Sequence, residues 1–278
     1  PGAEPFDLSL RRTPMTLLRR LGNKQSMAAR LLPYFPDHDI YIEPFFGAGG
    51  VFFNKPRARH NFLNDMDNEV FNLYMVCLDP VLRDRLAFEL ARMPVHQSLW
   101  EHWKREIPGD PVMKAVRFLF YSNFGYMGKP DTLHVADVDP RSLAIGEIER
   151  MDLGNCKFTC MDFEKAIRAI QLKDKESAFR RMFCYADPPY IGTVHNYEHG
   201  DEWNEGELSR LFDVLEWRGC KYAVSEFDNP VVMDMAVSRG LQVHVVGERV
   251  NMKNRRVEIL ITNYTPPCLE VKPQLTLF

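Results

Sequence analysis

The chemistry in this sequence gathers at two places where an acidic residue meets unusual backbone. In the first, Cys184-Tyr185-Ala186 reads as a strand end and runs straight into Asp187-Pro188-Pro189-Tyr190. Two prolines fix φ and remove two N–H donors, so the turn is stiff and its carbonyls point in set directions. A carboxylate, a rigid carbonyl and an aromatic ring are thereby offered together. Asp187 and the Pro188 carbonyl can each accept one N–H of a planar exocyclic amine while Tyr190 stacks on its heterocycle. An ordinary proline-rich strand exit is the plainer reading of these four residues taken alone. In the second place, Ile40-Tyr41-Ile42 leads into Glu43-Pro44-Phe45-Phe46-Gly47-Ala48-Gly49-Gly50. A glycine turn after a strand lets backbone approach a nucleotide-like ligand with no side chain in the way. The spacing Gly47-x-Gly49-Gly50 falls short of the fuller GxGxxG fingerprint, and a simple tight turn would explain it as well. Asp65 ends the next apolar run, Phe62-Leu63-Asn64, about twenty residues further on, where a carboxylate can accept both hydroxyls of a ribose. Its ordinary alternative is to cap the helix beginning after Met66. Together the pair points to an adenosine-containing ligand.

The elements that must position these residues follow from the hydrophobic pattern. The glycine turn reads as strand–turn–helix, with Val51-Phe52-Phe53 opening the helix, and a further helix spans Val70 to Leu78. Such a βαβ opening implies a parallel sheet with ligands at the carboxyl ends of its strands. Upstream, Leu17, Leu18, Leu21, Met27, Leu31 and Leu32 recur at helical spacings from Met15 onward, closed by Pro33 and Pro36. Arg11, Arg12, Arg19, Arg20, Lys24 and Arg30 lie in a stretch without an acid between Asp7 and Asp37, either a solvated face or an anion contact. From about residue 80 to 157 prolines punctuate helical pieces rich in Trp100, Trp103, Phe118, Phe120, Tyr121, Phe124 and Tyr126. Strands then resume at Lys157–Cys160, Met182–Ala186, Tyr222–Ser225, Val243–Val246 and Val257–Thr262. The expected organisation is a flexible extension over 1–14, an α/β domain over 15–79 and 158–278, and a mostly helical insertion over 80–157.

Composition limits the classes. In 278 residues, 45% hydrophobic and 12% aromatic content can bury a sizeable core, which excludes a disordered chain. Lys+Arg 35 against Asp+Glu 38 gives a net charge of −3, so any polyanion site must be local. No run of 18 apolar residues and no secretory leader is read, and a soluble cytoplasmic protein without membrane contact is expected. Of the cysteines at 77, 156, 160, 184, 220 and 268, only Cys156 and Cys160 are close, and they lack CxxC spacing. Reduced thiols and no metal are expected.

Phe45-x-Gly47-x-Gly49 followed by Asp187-Pro188-Pro189-Tyr190 resembles the DNA N6-adenine methyltransferases. The order of segments, opened by Leu21-Gly22-Asn23-Lys24-Gln25-Ser26 and interrupted by an insertion, is similar to the Dam-type enzymes of bacteria and phages. The likeness extends through Tyr197, Arg218–Ser225 and Arg256–Asn263, and covers most of Met15 to Tyr264. It implies a Rossmann-like methyltransferase sheet, mostly parallel with an antiparallel C-terminal strand, carrying an inserted target-recognition domain. S-adenosylmethionine would be the methyl donor, with no metal required. Gly22, Lys24, Glu43, Phe45, Gly47 and Gly49 would line its methionine side, Asp65 its ribose, and Asp162 and Phe163 its adenine. The acceptor would be a flipped-out adenine of double-stranded DNA, held by Asp187 and Pro188, stacked on Tyr190 and walled by Tyr197. Related enzymes read DNA near Tyr121-Ser122-Asn123-Phe124-Gly125-Tyr126-Met127-Gly128-Lys129. There Asn123 can bond an adenine edge and Phe124 or Tyr126 can wedge into the stack. Phe118, Phe120 and Tyr121 at helical spacing are more often core than readers. GATC-specific relatives place arginines in this neighbourhood, whereas this segment has only Lys129 before Arg141, so GATC is not the expected target. Lys253 and Arg255, in the loop before Arg256, suit phosphate contacts or a solvated hairpin tip. A cognate restriction endonuclease is compatible with such an enzyme, as is a monomer or weak dimer.

Three other readings compete. Methyltransferases acting on RNA or on a protein amide usually carry Asn rather than Asp before Pro-Pro-Tyr. A non-catalytic nucleic-acid-binding relative would not need both motifs intact. A nicotinamide oxidoreductase is disfavoured by the incomplete glycine fingerprint.

Overall fold

In a computed structural model, residues 17–18, 23–125, 132–133, 139–171, 181–192, 203–251 and 254–270 are described, with backbone alone at 249–251 and 254–255. Seven strands form one sheet: β1 (Ile40–Glu43), β2 (His60–Asn64), β3 (Cys156–Thr159), β4 (Met182–Ala186), β5 (Lys221–Phe227), β6 (Gln242–Asn251) and β7 (Asn254–Thr262). Their spatial order is β3-β2-β1-β4-β5-β7-β6. The first five run parallel, and β7 enters antiparallel between β5 and β6. The expected α/β sheet with an antiparallel C-terminal strand is therefore present. β1 and β4 are buried along their whole length, which is why they read as unbroken apolar runs rather than alternating ones.

From β1 the sheet extends through β2 to β3 on one side, and through β4 to β5 on the other. The chain thus changes direction between β1 and β4, and the crevice beyond the carboxyl ends of these two strands is where open α/β sheets bind ligands. The glycine turn leaves β1 and the Asp-Pro-Pro-Tyr segment leaves β4. Adjacent strands carry both motifs to the same crevice, with Ile40 opposite Met182 and Ile42 opposite Cys184.

Helices surround the sheet: α1 (Gln25–Leu31), α2 (Asn68–Leu78), α3 (Pro80–Arg92), α4 (Gln97–Arg105), α5 (Pro111–Phe124), α6 (Pro140–Arg150), α7 (Phe163–Ala169), α8 (Glu205–Arg218) and α9 (Pro230–Ser238). Several of the prolines that punctuate the chain start helices, while Pro94 and Pro108 lie in the loops after α3 and α4. Pro80, Pro111, Pro140 and Pro230 each sit in a first turn, where a missing N–H costs nothing. Helices α3 to α6 fill the stretch read as an insertion. Their Leu86, Trp100, Phe120 and Ile148 lie in one hydrophobic cluster with Tyr41, Phe46 and Tyr74 of the sheet side. Among the described residues, no helix is long and apolar enough to cross a membrane.

Three local expectations need correction. The helix expected after the glycine turn is a single 3₁₀ turn, Phe52–Asn54, because Pro56 follows at once and forces Lys55 into extended backbone. Among the described residues, Leu17, Leu18, Asn23 and Lys24 lie outside the N-terminal helix, which runs Gln25–Leu31 and is closed, as expected, by Pro33, here within a 3₁₀ turn, Leu32–Tyr34. The cap of α2 is Asp67, which accepts from the Glu69 amide, so Asp65 is released from that role.

Asn64, buried at the end of β2, ties three strand ends together. Its Nδ2 donates to the carbonyls of Pro44 and Met161 at 3.0 and 2.9 Å, and its Oδ1 accepts from Thr159 and Met161. Replacing it strands several buried partners, so Asn64→Ala is expected to cost about 2–3 kcal/mol. Thermal unfolding should show Tm lower by roughly 5–10 °C. An unchanged Tm would show that these bonds do not hold the strand ends.

Candidate active site

The site begins with a question of capping. Asp79, Asp110, Asp139 and Asn229 each precede a proline and each accepts an amide from the helix that the proline opens. Asp187-Pro188 has the same form, yet residues 187–190 adopt no regular structure. Pro189 supplies the reason. A residue before proline is pushed out of the α region, so Pro188 cannot take the dihedrals of a first helical turn. The Asp187 carboxylate is left to side chains. The Lys24 ammonium lies 3.1 Å from its Oδ1, and the Tyr190 hydroxyl donates to the same oxygen at 3.0 Å.

Lys24 connects the two motifs. It is only 4% exposed, stands 4.6 Å from the centroid of the Tyr190 ring, and approaches Glu258 of β7 at 4.0 Å. Its neighbour Asn23 accepts from the Gln25 amide and presses against Gly50, where a Cβ would collide with the Asn23 Oδ1. Consecutive residues thus touch the glycine turn and the acid.

Within the turn the glycines differ in purpose. Gly47 and Gly49 both have positive φ, +52° and +66°. A Cβ on Gly49 would strike the rings of Phe53 and Phe46 at 2.5 and 2.7 Å, whereas one on Gly47 would meet nothing within 4 Å. Gly49 serves packing, and Gly47 borders open space that a ligand can fill. The Gly47 amide donates to Asp65 Oδ2 at 2.6 Å, and Asp65 Oδ1 accepts from the Asp67 amide. Asp65 therefore braces the turn as well as standing at its rim. Phe45 packs on Phe163 at 5.3 Å and on Trp203 at 5.5 Å, giving the crevice an aromatic wall. Asp162 caps α7 and pairs with Arg210 at 2.9 Å. Burial pushes the Asp162 carboxyl up, but the Arg210 guanidinium outweighs it and the net shift is down.

Behind the crevice lies a group of buried acids. Glu43 accepts from the Tyr41 hydroxyl at 2.8 Å, and burial pushes its carboxyl up to about 8. Glu226 of β5 is fully buried and is pushed up to about 7 for the same reason. Glu258, Glu226, Arg210 and Trp203 were not singled out in the sequence. The available signal was an acid inside an apolar strand, in Ser225-Glu226-Phe227 and Val257-Glu258-Ile259, since such a group is costly unless used.

The recognition stretch requires a correction. Tyr121, Ser122 and Phe124 of α5 are buried. The Tyr121 hydroxyl donates to the Trp100 carbonyl, and its ring stands edge-on to Trp100. Helical spacing here marks a core face, so these side chains are not presented to a duplex. Asn123 is half-buried and donates to the Leu17 carbonyl at 3.2 Å. Gly22, Lys129, Tyr197 and Lys253 lie outside the described residues, as does the side chain of Arg255. Among the described residues, no group of three or more His, Cys, Asp or Glu could hold a metal ion.

A mostly parallel sheet whose strand order reverses between a glycine-turn strand and a strand ending in Asp-Pro-Pro-Tyr is a Rossmann-like arrangement. Residues 21–101 match the D12 class of N6 adenine-specific DNA methyltransferases. The Retron Ec67 DNA adenine methylase of Escherichia coli is 25% identical over 237 residues, covering 79% of this chain and 80% of the relative. Modification methylase StsI of Streptococcus sanguinis is 23% identical over 278 residues, covering 89% of this chain and 42% of the relative. Alignment with the shorter Retron protein spans most of both chains, whereas under half of StsI is spanned. Among solved structures, the rRNA methyltransferase aviRa from Streptomyces viridochromogenes aligns at TM-score 0.38 and 15% identity, covering 85% of this chain and 82% of that one. The fold assignment stands on strand order alone. The resemblance read from the motifs is borne out as a likeness: the chain is similar to the D12 class of N6 adenine-specific DNA methyltransferases over residues 21–101 and to DNA adenine methylases over most of its length.

The raised acids give a stability signature. Glu43 and Glu226 bind protons in the folded state up to about pH 8 and 7, while unfolded they lose them near 4.5. The folded state then holds more protons, and stability falls as pH rises through this window. His38, pushed down to about 4 by burial, works in the opposite direction, but only below its ordinary 6.5. Lys55, pushed down to about 8 by burial, opposes the fall only above pH 8. Between pH 6.5 and 8 chemical denaturation should therefore show declining stability, with a flatter decline in Glu43→Gln. An equal slope in that variant would remove Glu43 as its source.

Proposed function

We propose that this protein is a site-specific DNA adenine methyltransferase that moves a methyl group from S-adenosylmethionine to N6 of an extruded adenine. The observation that carries this reading is the Asn23-Lys24 step, which packs on Gly50 with one residue and pairs with Asp187 through the next. The names of the relatives agree with it.

The residues present fit the donor. Gly47 borders open space, Phe45, Phe163 and Trp203 offer apolar faces, and Asp65 stands at the rim with acceptor oxygens. In this reading Lys24, Glu43, Phe45, Gly47 and Gly49 line the methionine side, Asp65 the ribose, and Asp162 and Phe163 the adenine. S-adenosylmethionine, when bound, supplies an electrophilic methyl on a sulfonium.

The chain supplies the rest. An adenine amine is a poor nucleophile because its lone pair is delocalised into the ring. Asp187 accepts one amine hydrogen and the Pro188 carbonyl the other, which draws the nitrogen toward a pyramidal shape with its lone pair aimed outward. A carboxylate oxygen has two lone pairs and Asp187 has two such oxygens, so bonds to Lys24, Tyr190 and the amine can coexist. Lys24 and Tyr190 fix the orientation of the acid before substrate arrives, which lowers the entropic cost of alignment. The Tyr190 ring, on which this reading stacks the base, is 6% exposed here, with Lys24 over it and Phe227 edge-on, so stacking requires that Lys24 give way. Extrusion from a duplex costs a few kcal/mol, which phosphate and stacking contacts offset.

Incubating the purified chain with labelled S-adenosylmethionine and a mixture of unmodified double-stranded DNA, RNA and protein tests the reading. Label should enter DNA, and digestion should return it as N6-methyladenine in a fixed sequence context. Label confined to RNA or protein, or recovered on cytosine, would contradict it.

A further inference from the structure

The Asp-Pro-Pro-Tyr corner has few backbone donors by which it can be held. Pro188 and Pro189 carry no N–H, so the segment depends on anchors at its two ends. At its start, Ala186 lies in the ladder between β4 and β5. Past its end, the Ile191 amide donates to Glu226 Oε1 at 2.9 Å. The other oxygen, Glu226 Oε2, accepts from the Phe227 amide at 2.8 Å. The Phe227 ring meets Tyr190 edge-on, with centroids 4.6 Å apart. One buried carboxylate thus grips the backbone beyond the corner and the backbone of the residue that packs on its aromatic ring.

We propose that Glu226 is a positioning residue for methyl transfer: by holding the Ile191 and Phe227 amides it fixes the Pro188 carbonyl and the Tyr190 ring relative to Asp187. This rests on the function proposed above and adds to it a residue that touches neither substrate nor donor. A fold that only needed to fill this space would do better with an uncharged group, since an isolated buried carboxylate is costly. Here both oxygens are used on amides flanking the reactive corner.

The charged groups acting on Glu226 are Asp187 at the end of β4 and Lys24 ahead of α1, whereas Glu258 of β7, opposite Phe227 in the ladder, leaves the other face of the sheet. Burial raises the Glu226 carboxyl, its two amide bonds lower it, the Asp187 charge raises it and Lys24 lowers it. Protonation converts one oxygen into a hydroxyl, a poorer acceptor, so the grip tightens as pH rises through neutrality. Gln at this position keeps one acceptor and turns an N–H₂ toward an amide donor.

The test uses the full chain with Glu226→Gln and Glu226→Ala variants. Misplacement of a reacting group by an ångström can cost about 100-fold, so Glu226→Gln should lower kcat for DNA methylation at least about 10-fold. Affinity for S-adenosylmethionine by calorimetry should stay within about 2-fold, and the rise in wild-type kcat with pH near 7 should be lost in the variant. Hydrogen exchange, measured without DNA or donor, should show faster exchange confined to the amides of residues 187–192 and of Phe227. Unchanged exchange there overturns the proposal whether or not the wild-type protein methylates DNA. So does an unchanged kcat, or a loss of donor affinity parallel to the loss of rate. A wild-type protein that labels no DNA while exchange still changes at 187–192 would instead overturn the proposed function. If Glu226→Ala fails to fold, Glu226→Gln alone carries the comparison.

Discussion

A second proline decides what Asp187 can do. With one proline, an Asp-Pro step in this chain becomes a helix start and its carboxylate caps that helix by accepting a backbone amide, as at Asp79, Asp110 and Asp139. Pro189 denies Pro188 the helical conformation, so the acid leaves β4 still able to accept from other groups. The same two rings remove the donors that would let the segment collapse onto its neighbours. Rigidity and availability then have one cause. The features around the corner, from the Lys24 ammonium to the Glu226 grip beyond it, act on a carboxylate and a carbonyl that the backbone has kept available.

The sheet supplies the meeting point. Reversal of strand order between β1 and β4 opens a crevice at their carboxyl ends, and each strand releases one motif there. Lys24 is the cation among Asp187, Glu258 and, more distantly, Glu226. Burial of Glu43 and Glu226 resists their ionisation, while Lys55 and Arg57 near Glu43, and Lys24 near Glu226, favour their charged forms.

Much of this was legible in the residues. Strands β1, β4 and β7 announce themselves as apolar runs, the glycine turn and Asp65 mark one ligand edge, and Asp187-Pro188-Pro189-Tyr190 marks the other. The parts that were not legible share a physical origin in tertiary contact. Periodicity places Tyr121 and Phe124 on a helix but does not say which face is covered, and Trp100 covers it. An acid inside a strand shows that something is being used, but Glu226 finds its partner at Ile191, 35 positions away in the chain. The helix expected after Gly50 is cut short by Pro56 and by the packing of Phe46, Phe52 and Phe53, whose rings fill the space beside the turn. Asn64 looked like the tail of a strand and is the joint of three.

Single-turnover methyl transfer by Asp187→Ala, with donor affinity and Tm measured on the same preparation, tests the central claim most directly. A carboxylate that draws the amine into its reactive shape should leave donor binding near wild type and fold intact, while transfer slows by at least about 1,000-fold, the loss expected when a main acceptor is removed from a preorganised site. A folded, donor-binding variant that transfers methyl at near the wild-type rate would contradict it.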